Sequence, residues 1–142
     1  MKYPLAPFLL LTLAGCGLLE NADTPEIRLE ADRLAYQPGQ EVVLSLINLS
    51  ERTFTVSGDL CDAVLLQQQQ TTWQPLSGEG VCPDVGVVLK QGGAIVSRKR
   101  LAETLSAGRY RYGYELKDGG GSERYRHFER IEVYTRVFEV SE

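Results

Sequence analysis

Three cysteines, Cys16, Cys61 and Cys82, and one histidine, His127, are the residues of this 142-residue chain best suited to act as nucleophile, base or soft metal ligand. Acyl transfer by a Ser–His or Cys–His pair needs a base held within hydrogen-bond reach of its nucleophile. The chain has no G-x-S-x-G turn, and His127 lies between Arg126 and Phe128 in a hairpin arm, where it reads as an exposed strand histidine. Redox pairs favour C-x-x-C spacing, which is absent, and a zinc site needs more soft ligands than this composition supplies. Asp59, Asp62, Glu79 and Asp84 flank Cys61 and Cys82 and offer hard oxygens for calcium, but their spacing matches no EF-hand loop and reads as solvated loop carboxylates. Trp73 and the row Tyr110, Tyr112, Tyr114 would make either a stacking platform for sugar or a buried core, and the alternation favours the core. The chain therefore reads as a non-enzyme, with no catalytic residue, no cofactor and no metal.

Cys16 has a different chemistry. The segment Leu13-Ala14-Gly15-Cys16 closes a short apolar run that opens with Met1-Lys2, and it resembles the lipobox of bacterial lipoproteins. The resemblance implies that residues 1–15 are a signal peptide and that Cys16 becomes the first mature residue. Its thiol would carry a diacylglycerol and its amine a third acyl chain. The run from Leu5 to Leu13, broken by Pro7, is far shorter than the roughly 20 residues of a spanning helix, so the membrane contact is lipid. Residues 16–25 are then the lipidated N-terminus and a polar tether, and the protein belongs to the cell envelope. Gly17 in place of Asp after Cys16 directs it, by the family's rule, to the outer membrane facing the periplasm in an organism with two membranes. With Cys16 acylated, Cys61 and Cys82 remain as an even pair in an oxidising compartment, where a disulfide is expected. Closing that loop of about 20 residues contributes on the order of 3 kcal/mol.

The net charge of −4 becomes −5 once Lys2 is removed (−4 minus 1), which speaks against a nucleic-acid partner. The charges are unevenly placed. Residues 16–87 hold three basic and eleven acidic side chains, whereas residues 88–142 hold eleven basic and eight acidic. Arg98, Lys99, Arg100, Arg109 and Arg111 are accordingly the candidate face for an anionic ligand. The alternative is that they are the solvated faces of strands, since Arg alternating with Tyr is how a half-buried strand reads.

The elements that must position these residues are strands. Ile27, Leu29 and Ala31 alternate with charged residues, and Val42, Leu44 and Leu46 share one face of the segment 41–49. Pro38-Gly39 predicts a type II turn between them. Short alternating segments follow at 53–56, 62–68, 72–76, 87–89 and 94–101, with a hairpin turn over Gln69-Gln70-Thr71 and another turn over Lys90-Gln91-Gly92-Gly93. Tyr110, Tyr112, Tyr114 and Leu116 point inward from the strand 109–116. The return strand, 123–140, changes parity between Val133 and Phe138 without a turn signal, which predicts a bulge near Thr135-Arg136.

About seven short strands with Gly- and Pro-bearing turns every 8 to 12 residues or so point to an antiparallel sandwich over residues 26–142. The segments Tyr36-Gln37-Pro38-Gly39-Gln40, Asn48-Leu49-Ser50, Leu105-Ser106-Ala107-Gly108-Arg109-Tyr110 and 133–140 resemble the immunoglobulin-like domains of bacterial lipoproteins. That resemblance implies an immunoglobulin-like β-sandwich with one disulfide, and it places Tyr110 as a tyrosine corner. The region from Ser57 through Trp73 to Leu89 is similar, more loosely, to the BsuPI-type proteinase inhibitor family. The expected function is a membrane-anchored, non-catalytic module binding an envelope protein. The alternatives are a surface protease inhibitor or a binder of an anionic envelope polymer.

Overall fold

The computed structural model describes residues 26–76, 82, 86–118 and 130–142. Residues 1–25, with the signal peptide, Cys16 and the tether, lie outside the described residues, as do Glu79, Asp84 and His127.

A two-residue period shapes each strand. In β1 (Ile27–Ala31) and β3 (Glu41–Asn48) alternate residues are buried, so Ile27, Leu29, Val42, Leu44 and Leu46 line one interior face. Between them the short β2 (Ala35–Tyr36) is followed by the expected type II turn. Gln40 N–H donates to the Gln37 carbonyl at 3.2 Å, with Gly39 at φ +79°, a conformation that glycine reaches without steric cost. β3 is the centre of a three-stranded antiparallel sheet, flanked by β1 and by the strand Ala94–Arg100.

The chain then builds β4 (Phe54–Ser57), β5 (Val64–Gln69), β6 (Thr72–Pro75), β7 (Gly86–Leu89) and β8 (Ala94–Arg100), before the long β9 (Gly108–Asp118) organises a second, eight-stranded sheet. One edge of β9 pairs with β11 (Phe138–Val140) and then β10 (Arg130–Tyr134); the other pairs with β5 and then β4. β6 extends β5, β7 extends β4, and β2 lies parallel to β11. The two sheets share one core, in which Leu44, Leu46 and Ile95 from one side join Tyr110, Tyr112, Leu116, Phe54 and Phe138 from the other. The protein is thus an all-β sandwich with one disulfide, as the alternation predicted.

Eleven strand segments occur among the described residues, against about seven expected. Two features contribute short extra pieces. Asp32 bends the chain between β1 and β2, its carboxylate accepting from Val43 N–H and the Tyr36 hydroxyl, both at 2.8 Å. The return strand is also split. Tyr134 pairs with Gly113 and Phe138 with Tyr110, so four steps along one strand match three along the other. That is the predicted one-residue bulge. Buried Thr135 completes it, its N–H donating to the Tyr112 carbonyl (2.9 Å) and its Oγ1 accepting from Tyr112 N–H (3.0 Å).

Candidate binding face

The inward row on β9 is structural. The Tyr110 hydroxyl donates to the Ser106 carbonyl at 2.6 Å, four residues back, which is the tyrosine corner, and it also accepts from Gln67 Nε2 at 3.0 Å. Phe138 sits among Tyr36, Tyr110 and Tyr112 with ring centroids 5.0, 6.2 and 6.1 Å away. Burial pushes the Tyr112 hydroxyl up to about 12, with the neighbouring Tyr36 adding to it. Tyr36 itself is pushed up to about 12 by burial and by the Asp32 carboxylate that its hydroxyl bonds. In the other direction, burial opposes ionisation of Asp32, but the bonds from Val43 N–H, Tyr36 and Arg33 outweigh it and hold this carboxyl below its ordinary value.

Cys61 and Cys82 form the expected disulfide, with Cα atoms 5.6 Å apart. It staples the connection after β4 to the one before β7. Asp59 and Asp62 have local partners: Asp59 accepts from Cys61 N–H at 3.0 Å, and Asp62 accepts from Ser57 Oγ. Leu60, fully buried at φ 49°, plugs the turn between β4 and β5, and its N–H donates to the Ser57 carbonyl at 3.1 Å.

Beside the disulfide a cleft of about 610 Å³ opens between the sheets, with Ala63, Leu65, Leu76 and Leu105 on its walls and Lys99 and Asp62 among its charged groups. Its lining is largely apolar, and its carboxylate is already engaged by Ser57. The five basic candidates do not make one face. Arg98 and Arg100 leave the outer side of β8 and face carboxylates, Arg98 with Glu41 at 3.5 Å and Arg100 with Glu103 at 3.6 Å. Lys99 has the opposite parity, and both it and Arg100 border the cleft. Arg109 and Arg111 belong to the other sheet, on the outer side of β9.

Arg111 has company there that the sequence pattern did not disclose. Its guanidinium carbon lies 4.3 Å from the Trp73 ring centroid and 4.0 Å from that of Tyr134. Trp73 arrives because β6 pairs with β5, where Leu66 stands opposite Arg111 and Gln68 opposite Trp73. Tyr134 arrives from β10, directly across from Gly113. A Cβ at Gly113 would come within 2.9 Å of the Tyr134 ring, so the glycine is what lets that ring lie over the sheet. The Tyr134 hydroxyl donates to Glu132 Oε2 at 2.7 Å, and this bond, then burial, raises it above its ordinary value against the pull of Arg111. Each arginine–ring contact of this kind is worth about 0.5–1 kcal/mol at an exposed site. Trp73 and Arg111 are half-buried, and Val64 and Tyr134 beside them are each 41% exposed.

A glycine inside an otherwise aromatic strand was the available signal for this cluster. Its meaning depends on which residue crosses from the neighbouring strand, which is not written locally. Compared with known proteins, the chain matches no family model and no curated protein.

Proposed function

We propose that this protein is a lipid-anchored module of the bacterial cell envelope, held through Cys16, and that its sandwich binds another envelope protein without performing catalysis. The observation that carries the reading is the outer face of the β9-centred sheet, where Trp73, Arg111 and Tyr134 stack beside exposed Val64. Aromatic residues and arginine are the side chains that most often carry binding energy at protein interfaces. The tyrosines facing inward from β9 are occupied by the core and its hydrogen bonds, so the aromatic surface available to a partner is the outer one.

The anchor follows from the lipobox resemblance of residues 13–16, with residues 16–25 as the spacer that carries the domain away from the bilayer. In an organism with two membranes, Gly17 in place of Asp favours the outer membrane facing the periplasm, by the rule of the lipoproteins that residues 13–16 resemble. Two measurements test the parts separately. Mass spectrometry of the full-length protein from its own cells is expected to show an acylated N-terminus at Cys16; an unmodified chain beginning at Met1 sinks the anchor. Photo-cross-linking from the outer sheet face in intact cells is expected to return one protein repeatedly. Consistent absence of any adduct sinks the binding role.

A further inference from the structure

Arg111 is a cation whose binding capacity the fold leaves unused. Arg28, Arg98, Arg100 and Arg130 each face a carboxylate, at 3.5, 3.5, 3.6 and 3.7 Å respectively. Arg111 forms no hydrogen bond and no ion pair among the described residues. Its Nε is sealed from solvent and has no partner; neither Nη is among the sealed, unpartnered nitrogens, and the residue as a whole is half-buried.

A guanidinium stays charged at every physiological pH and presents its Nη edge as a planar fork, which a carboxylate meets with two parallel hydrogen bonds. Rings on both sides hold that plane in place. Much of the rotamer freedom a surface arginine gives up on binding is therefore already lost. The group is a preorganised carboxylate receptor lacking its carboxylate.

The surroundings select the source of that carboxylate. A polyanion is best met by several unpaired cations on one face; here Arg109 shares the outer side of β9 with Arg111, but Glu139 stands across from it, Arg130 is matched by Glu115, and Glu132 sits beside Tyr134. Arg98 and Arg100 belong to the other sheet and carry their own acids. The groups around the stack include apolar Val64 and Leu66, which suit the apolar centre of a protein contact. We infer that Arg111, clamped between Trp73 and Tyr134, is the anchor point for an Asp or Glu side chain on the surface of a protein partner. This rests on the reading of the domain as a protein-binding module and names the chemistry of its contact.

The test uses the full chain in its own cells, with p-benzoylphenylalanine replacing Val64, which shares the outer face but does not belong to the stack. Irradiation is expected to give an adduct with one protein, and the cross-linked partner peptide is expected to contain Asp or Glu. Arg111→Gln should lower the adduct yield at least tenfold. Arg111→Lys, which keeps the charge and the stem but not the fork, should lower it several-fold with an unchanged melting temperature. Gly113→Ala, which displaces the Tyr134 ring without altering charge, should lower it as well.

Wild-type yield in both Arg111 variants overturns the inference and leaves the binding role standing. An adduct to a glycan or lipid overturns the protein source. An adduct obtained only from Val96, which is 60% exposed on β8, moves the interface elsewhere and also overturns the inference. Absence of adducts from both positions removes the binding role itself.

Discussion

Two faces of one strand, β9, meet opposite fates one residue apart. Tyr110, Tyr112, Tyr114 and Leu116 point inward and are buried, with the Tyr110 hydroxyl donating to Ser106 and the Tyr114 hydroxyl accepting from Ser57 N–H at 3.1 Å. Arg109, Arg111, Gly113 and Glu115 point outward, where the aromatic rings come from neighbouring strands and converge on a cation. Inside, aromatic residues fill volume, and the hydroxyls of Tyr110 and Tyr114 find partners within the domain. Outside, they hold a charged group in place without neutralising it. Aromatic content alone does not distinguish a core from a recognition surface; what the rings are packed against does.

The contrast can be broken from the inside most severely. Phe138→Ala empties the space between Tyr36, Tyr110 and Tyr112, and is expected to cost about 3–5 kcal/mol by chemical denaturation. The next largest effect comes from alkali. Tyr36 and Tyr112 are raised to about 12, above the unfolded value of about 10, so the folded state favours their neutral form. Their contribution to stability is then complete below about pH 10 and is lost as pH climbs towards 12. Tyr112→Phe should flatten that decline, and a decline of unchanged steepness would contradict the assignment.

Tyr110→Phe removes the tyrosine-corner bond while keeping the ring. It is expected to cost about 1–2 kcal/mol, with the cost shared between the Ser106 and Gln67 partners. The outer face should respond least. Trp73→Ala is expected to lower stability by about 1 kcal/mol or less. The same change should move the Arg111 Nε–H resonance as one ring current is withdrawn. A loss as large as that of Phe138→Ala would make the outer stack a second core and erase the distinction.

Much of this architecture was legible in the order of residues. The burial alternation of β3 and β9, the Pro38-Gly39 turn, the bulge after Tyr134 and the Cys61–Cys82 bridge all follow from local period, turn chemistry or cysteine parity. Pairing across strands was much less legible. Arg98 and Arg111 look alike as members of basic, alternating segments, yet strand order puts them in different sheets, one beside Glu41 and the other between two rings. Tyr134 reaches Arg111 only because the register sets it opposite Gly113. Such meetings depend on the choice of partner strand, a non-local decision that no window of sequence contains.

The parallel pairing of β2 with β11 carries a mechanical consequence. Glu139 N–H bonds the Leu34 carbonyl at 2.9 Å and Ser141 N–H bonds that of Tyr36 at 3.1 Å. Parallel neighbours drawn from opposite termini slide along each other, so these bonds bear load together rather than parting in sequence. Tension between the two ends would first peel β1 from β3 and then meet this shear clasp. Pulling single molecules by their termini is expected to show a weak early extension followed by one abrupt rupture, the signature of a mechanical fuse.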